Sequence, residues 1–201
     1  MATAALAMFQ AVETSEPGRN RAVLVRRLLP TEPAVRGSVS LFVTEAERQG
    51  LRAGRRMLYV GPEPAESAVA AALRVATGDQ VIARRKLLIA NDIPVRIATS
   101  YFRADLFGCT RLAEPGFVRP SLQSELEGLG HRFGHAEETL IARAPTEPET
   151  GTLELAPGEW VVEVVRASYS DQDVPIHVLR TVCAGSRHVF EITQVTGVDE
   201  F

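Results

Sequence analysis

The chain contains two pairs of strand-like segments, and each pair is separated by a short turn rich in Asn and Asp. Apolar residues dominate these segments, and Asn and Asp side chains stabilise tight turns. This pattern predicts two β-hairpins. The first comprises Val81–Ala90 and Pro94–Phe102 around Asn91-Asp92, and the second comprises Trp160–Ser168 and Pro175–Cys183 around Ser170–Asp173.

The remaining segments predict a mixture of helices and further strands. Helical spacing of apolar residues, with a serine or proline near the start and glycine near the end, indicates several short helices. Pro62-Glu63-Pro64 is expected to break the chain. Predicted helices are Ser38–Arg48, Ala65–Val75, Ala104–Cys109 and Ser121–Glu127; predicted strands are Arg55–Val60, Glu138–Ala144 and His188–Ile192.

The two hairpins belong to an internal repeat with an offset of about eighty residues. Leu73–Asp79 recurs as Leu153–Glu159, and each copy is followed by a strand, an acidic turn and a proline. Arg85 and Arg166 each lie nine residues before that proline. The repeat predicts two hairpins in one sheet, related by a pseudo-two-fold axis, with a ligand cleft where the two halves meet.

Composition is that of one soluble globular domain. The chain has 201 residues, of which 45% are hydrophobic and 23% charged, with a formal net charge of −3. No apolar run is long enough for a membrane span and no secretory signal is evident, so a cytoplasmic location is expected. Residues 1–20 are interpreted as a tail or linker and residues 21–201 as the domain. The mildly acidic balance disfavours direct binding to nucleic acid by this chain alone.

The hairpin segments resemble a known family. VIARRKLLIANDIPVRIATSYFRADL, residues 81–106, and LELAPGEWVVEVVRASYSDQDVPIHV, residues 153–178, resemble the UTRA effector-sensing domain of GntR-type transcription regulators of the HutC subfamily. The resemblance covers about residues 26–192. It implies an α+β fold like that of chorismate lyase, with an antiparallel β-sheet flanked by helices, an effector in a cleft, and homodimers formed through this domain.

One departure from the family concerns DNA binding. Such regulators carry a winged helix-turn-helix domain before the sensor, and residues 1–20 are too short to form one. The expectation is therefore a stand-alone sensor, or one whose DNA-binding domain is missing or on a separate polypeptide. The predicted function is that of a small-molecule effector sensor that regulates transcription through a dimer or a DNA-binding partner, and not that of an enzyme.

The resemblance implies a set of ligand-binding residues for an anionic or polar metabolite. Lys86 matches one of two basic positions of the family, whereas the other falls on Leu88. Arg84 is expected to compensate, because it shares a strand face with Lys86. The alternatives are a solvated strand face for these cations, N-capping for the serine and packing for the tyrosine. The predicted ligand-binding residues are Arg84, Lys86, Ser100, Tyr101, Ser121, Gln123, His177 and Cys183.

Other chemistries find little support in the sequence. Cys109 and Cys183 have no CxxC partner, and His131 and His135 lie in a glycine-containing segment without the HExxH order, so neither a disulfide nor a metal is predicted. No cofactor is expected, since the glycine-rich fingerprints are absent. Two alternatives stay open: an enzyme of chorismate-lyase type, and a dimerisation or interaction module without a ligand.

Overall fold

The computed structural model describes residues 24–29 and 41–192. The predicted tail, residues 1–20, lies outside the described residues, as do the first three residues of the predicted helix 38–48. The strands are β1 (Val25–Leu29), β2 (Ala53–Pro64), β3 (Gln80–Ala90), β4 (Ile93–Arg103), β5 (Phe133–Arg143), β6 (Val161–Ser170), β7 (Pro175–Ala184) and β8 (His188–Ile192). The helices are α1 (Leu41–Arg48), α2 (Ser67–Leu73), α3 (Ala104–Phe107), α4 (Leu122–Gly128) and α5 (Glu147–Leu153).

Six strands form one antiparallel sheet in the order β2-β3-β4-β7-β6-β5. Both predicted hairpins, β3–β4 and β6–β7, are present, and they meet through pairing of β4 with β7 at the centre of the sheet. β1 and β8 form a separate parallel pair. The predicted α+β class, an antiparallel sheet flanked by helices, is therefore confirmed.

The turns explain why the first hairpin was readable from sequence. Asn91 and Asp92 have φ values of 48° and 67°, which a two-residue hairpin turn requires and which Asn and Asp tolerate better than most residues. The second turn is longer, and Asp173 has a φ of 60°. The Oγ of Ser170 accepts hydrogen bonds from the backbone N–H groups of Gln172 and Val174 in that turn.

The prolines of β2 correct one prediction. Pro62 and Pro64 were expected to break the chain, but β2 continues through both and pairs with β3 as far as Gln80. β2 is an edge strand of the six-stranded sheet, and an edge strand tolerates proline because the missing N–H can face outward.

The helices flanking the repeat are shorter than predicted or were missed. α2 ends at Leu73, and Arg74 takes a left-handed conformation with φ 54°. The sequence analysis did not predict α5, which has seven residues and begins with a capping box in which Thr146 and Glu149 bond each other's backbone N–H groups. The strand β1 was also missed.

The back face of the sheet, defined by Ala83, Leu87 and Tyr101, packs against α2 and α5. Leu73 of α2 lies in one apolar cluster with Ala83 and Tyr101. Leu153 of α5 lies in a second cluster with Leu87. Because side chains alternate along a strand, the residues between these positions point the other way.

The front face, defined by Arg84, Lys86 and Ser100, packs against the other helices. α1 joins a cluster that contains Leu88, and the α3–α4 region joins a cluster that contains Ile82. Arg84 and Lys86 lie between these two apolar clusters on β3. This position places their charges within the covered part of the sheet.

The arginines of the repeat do not match in space. Arg85 lies on the back face, where it bonds Glu63, whereas Arg166 pairs with Leu179 of β7 on the front face. Counting from the prolines misaligned them, because the second turn is longer than the first. The pseudo-two-fold relation of the hairpins stays a prediction.

None of the helices within residues 41–192 is long and apolar enough to cross a membrane.

Candidate functional site

Lys86 is the centre of the candidate site. It is half-buried on β3 and pairs with Ala98 of β4, which in turn pairs with Thr181 of β7. Burial and the nearby charges of Arg55, Arg84 and Arg96 lower the pKa of Lys86 to about 8. Within the described part of the chain, the ammonium group has no hydrogen bond or carboxylate partner.

Arg84 is buried and holds a loop in place. Its guanidinium group donates hydrogen bonds to the backbone carbonyls of Leu112 (2.6 Å), Glu114 (2.8 Å) and Gly116. Only 4% of the residue is exposed, and burial lowers the pKa of its guanidinium group. The solvated strand face considered as an alternative is thus wrong for Arg84. Its donors fix the 112–116 segment beside Lys86.

Two arginines missed by the sequence analysis complete the positive cluster. Arg96 is the cross-strand neighbour of Leu88, the position at which a basic residue was expected. Its guanidinium group lies 3.2 Å from the Glu45 carboxylate and over the Phe42 ring. Counting from the two-residue turn would pair Leu88 with Val95, and a register shift between Leu88 and Ile89 places Arg96 there instead. The hairpin pattern alone could therefore not have identified Arg96.

The other missed arginine is Arg55, on β2. Its guanidinium carbon lies 4.9 Å from the centre of the Phe117 ring, which follows the loop held by Arg84. This cation–π contact holds the loop at a second point. Arg55 is separated from Lys86 along the sequence by the whole of α2, and we find no sequence signal that could have identified it.

Three further predicted residues lie on the front face. Ser100 is buried and pairs with Arg84. His177 is buried, and its ring stacks on Phe102 with ring centres 5.0 Å apart. Cys183 is fully buried and is the cross-strand neighbour of Arg96. The structure therefore brings these three residues onto the same face as Arg84 and Lys86.

Ser121 and Gln123 lie at the start of α4. The Oγ of Ser121 accepts the backbone N–H of Ser124 at 3.0 Å, so this serine caps the helix as the alternative interpretation proposed. Gln123 donates from Nε2 to Glu127, and its Oε1 is buried without a hydrogen-bond partner among the described residues. α4 packs on the front side of the sheet through Leu126.

Tyr101 does not join this group. It lies on the back face, packed against α2, where burial and the charge of Glu63 raise its pKa. Packing, the alternative considered for Tyr101, accounts for its position.

Ion pairs cross the back face near Tyr101. Glu163 accepts hydrogen bonds from Arg143 and from Arg180, the latter at 3.1 Å. Burial alone would raise the pKa of Glu163, but these two hydrogen bonds lower it overall. These back-face charges are thus paired with one another, in contrast to Lys86 on the front face.

The two histidines weighed as metal ligands occupy different surroundings. His131 contacts the edge of Phe107, whereas His135 stacks on Tyr169 with ring centres 4.7 Å apart. Within residues 24–29 and 41–192, no three His, Cys, Asp or Glu side chains are grouped so that they could hold a metal ion.

Comparison with known proteins identifies relatives over most of the chain. The UTRA domain family model matches residues 48–189. An HTH-type transcriptional regulator of Streptomyces coelicolor is 32% identical over 145 residues, which cover 71% of this chain and 54% of that protein. The HTH-type transcriptional repressor PhnF of Mycolicibacterium smegmatis is 26% identical over 172 residues, covering 86% of this chain and 68% of PhnF. The chain thus spans about half to two thirds of the length of these relatives.

Solved structures share the fold. The effector domain of PhnF from Mycobacterium smegmatis superposes with a TM-score of 0.68 at 24% identity, covering 86% of this chain and 100% of that domain. The C-terminal domain of the histidine utilization repressor from Pseudomonas syringae pv. tomato gives a TM-score of 0.58 at 24% identity, covering 73% of this chain and 100% of that domain. The family model and the curated relatives together establish that this chain belongs to the UTRA domain family, found in GntR-type transcriptional regulators.

Proposed function

We propose that this chain senses an anionic metabolite, which binds on the front face of the sheet beside Lys86, and passes the signal to a DNA-binding domain or subunit. UTRA domains are the effector domains of GntR-type regulators, and the relatives are transcriptional regulators rather than enzymes. We propose an anionic metabolite because the groups around Lys86 are positively charged. Homodimer formation, predicted from the resemblance, belongs to the same proposal.

The observation that carries the proposal is that Lys86, inside a positive cluster, has no hydrogen bond or carboxylate partner among residues 24–29 and 41–192. An ammonium group that is half-buried beside three guanidinium groups is unfavourable in the absence of an anion. An anionic ligand would relieve this repulsion and form charge-assisted hydrogen bonds with Lys86. Relief of this charge repulsion therefore favours the binding of an anion.

The loop held by Arg84 provides a route for the signal. A ligand beside Lys86 lies close to the guanidinium group that fixes the carbonyls of Leu112, Glu114 and Gly116. If the ligand accepts hydrogen bonds from Arg84 in place of the loop carbonyls, the loop and the α4 region that follows it shift between two arrangements. A ligand with different affinity for these arrangements changes their populations, which is the requirement for sensing.

Isothermal titration calorimetry with small carboxylates, sugar phosphates and inorganic phosphate tests the proposal. We expect saturable binding by at least one anion class, and a loss of affinity of roughly tenfold or more in Lys86→Met, because one charge-assisted contact is removed. Arg52→Met is the matched control. It also removes one positive charge, but from an exposed side chain paired with Asp92.

Two results would contradict the proposal. Equal affinity in Lys86→Met and in the wild-type chain would place the ligand elsewhere. A folded wild-type chain that binds none of the anions would favour the interaction module without a ligand. Release of pyruvate from chorismate would instead support the enzyme of chorismate-lyase type.

A further inference from the structure

Lys86 is the only lysine in the chain. The sequence contains 22 lysine and arginine residues, and 21 of them are arginines. Arginine stays protonated in proteins, whereas a buried lysine readily loses its proton and becomes a nucleophile. Elsewhere in this molecule arginine forms the ion pairs, as in Arg85–Glu63 and Arg143–Glu149. A lysine at the centre of the site therefore suggests amine chemistry.

The surroundings of Lys86 keep part of its side chain in the neutral amine form. The three arginines that face it are held by other groups: Arg84 by backbone carbonyls, Arg96 by Glu45 and Arg55 by Phe117. With a pKa of about 8, roughly a tenth of the amine is neutral at pH 7, a few hundredfold more than for an ordinary lysine. Neighbouring cations and burial are the features that activate lysines for imine formation.

We propose that Lys86 captures an effector bearing both a carbonyl and an anionic group as a reversible imine. The inference rests on the proposed function, because it concerns the same front-face site. The positive charge of the neighbouring guanidinium groups attracts the anionic group, and this attraction brings the carbonyl carbon to the amine. Small 2-oxo acids and phosphorylated aldehydes share this chemistry.

The reaction needs no oxidant or reductant. The neutral amine of Lys86 attacks the carbonyl carbon, so that a C–N bond forms and a proton moves from nitrogen to oxygen. The resulting carbinolamine loses one molecule of water as the C=N bond forms. The imine nitrogen then takes a proton from solvent and becomes positively charged. Addition of water reverses both steps and releases the effector.

The hydroxyl groups on the front face fit this assignment. Thr181 lies in the same row of the sheet as Lys86, two strands away, and Ser100 lies in the adjacent row opposite Arg84. Both residues are buried, so their hydroxyl groups are shielded from solvent. They can donate hydrogen bonds to the oxygen that develops negative charge during attack.

Reductive trapping tests the proposal directly. The full chain is incubated with glyoxylate or glycolaldehyde phosphate and cyanoborohydride, which delivers hydride to an imine carbon and fixes it as a secondary amine. Peptide mapping should find the adduct on Lys86, formed roughly tenfold faster than on the α-amine of Met1, which serves as an internal control. The carboxylate and phosphate probes distinguish the two effector classes.

Variants and a carbonyl-free analogue separate this inference from the proposed function. Lys86→Arg keeps the positive charge but has no nucleophilic amine, so we expect it to form no adduct beyond Met1. Arg52→Met, at an exposed side chain paired with Asp92, should form the Lys86 adduct as the wild-type chain does. Lys86→Met provides a second variant should arginine disturb folding. Labelling of Met1 alone, together with glycolate or 2-phosphoglycolate binding that depends on Lys86, overturns imine formation and leaves anion sensing intact. Failure of all anions to bind overturns both.

Discussion

Each half of the sheet has a cation at a matching point, and the two cations have different neighbours. Gly78 and Gly158 both have positive φ values, 91° and 83°, and each precedes a central strand. The eighth residue after each glycine is Lys86 in β3 and Arg166 in β6. Both residues lie on the front face of the sheet.

The cross-strand neighbours explain the difference. Arg166 pairs with Glu138 of β5, and their charged atoms are 3.6 Å apart. Lys86 pairs instead with Met57 of β2, which offers no charge. A cation with a protein carboxylate beside it stabilises the fold, whereas a cation without one is available to a ligand. One sheet thus contains a paired cation, Arg166, and, under the proposed function, a ligand-binding cation, Lys86.

The largest expected effect concerns the sixth residue after each glycine, Arg84 in one half and the buried Val164 in the other. Arg84→Met leaves the carbonyls of the 112–116 loop without their donors. We expect the free energy of unfolding to fall by about 3 kcal/mol or more, because unpaired buried polar groups are costly. Chemical denaturation measures this, with Arg56→Met as the exposed control. A variant as stable as the wild-type chain would show that the loop does not depend on Arg84.

The second prediction gives Lys86 a carboxylate neighbour like the one that Arg166 has. Met57→Glu places a carboxylate opposite Lys86, as Glu138 lies opposite Arg166. The new carboxylate competes with the ligand, so anion affinity should fall by roughly ten- to a hundredfold, or about 1.4 to 2.8 kcal/mol. Calorimetry measures the affinity, and Met57→Gln, of similar size but neutral, should bind normally. Equal losses in both variants would indicate a steric effect instead of charge pairing.

The third prediction uses the pKa of Lys86, about 8 when folded against 10.5 for an unperturbed lysine. Between these values the unfolded chain binds more protons than the folded chain, so stability rises with pH in this window and is flat below it. The gain attributable to Lys86 should be about 3 kcal/mol and should be absent from Lys86→Met. Denaturation below pH 8 and near pH 10.5 in both proteins measures the difference. Anion affinity should fall over the same window, because the amine loses its charge.

Sequence reasoning identified the hairpins because their signals are local. Asn91 and Asp92 adopt turn conformations that few other residues favour, and strand alternation then placed Arg84 and Lys86 on one face. The same reasoning missed α5, whose short length gives no periodic pattern and whose start depends on the capping box of Thr146.

The composition of the charged cluster depended on register, which sequence alone specifies weakly. Arg96 joins the site because it pairs with Leu88, and Arg55 joins because β2 pairs with β3 across the intervening helix α2. Residue counting from Pro94 and Pro175 equated Arg85 with Arg166, although counting from the glycines equates Lys86 with Arg166. A turn of different length on each hairpin produced that error.

The smallest expected effect is a difference in stability between two equivalent substitutions, Arg166→Met and Lys86→Met. Arg166→Met removes the partner of Glu138, and both side chains are about one-fifth exposed, so the unfolding free energy should fall by about 1 kcal/mol. Lys86→Met removes a repelled charge and should leave stability unchanged or raise it at neutral pH. Denaturation of both variants, with Glu138→Gln completing a double-mutant cycle for Arg166, measures the two contributions. Equal destabilisation by the two substitutions would mean that Lys86 is as well paired as Arg166, and the distinction between a structural and a binding cation would fail.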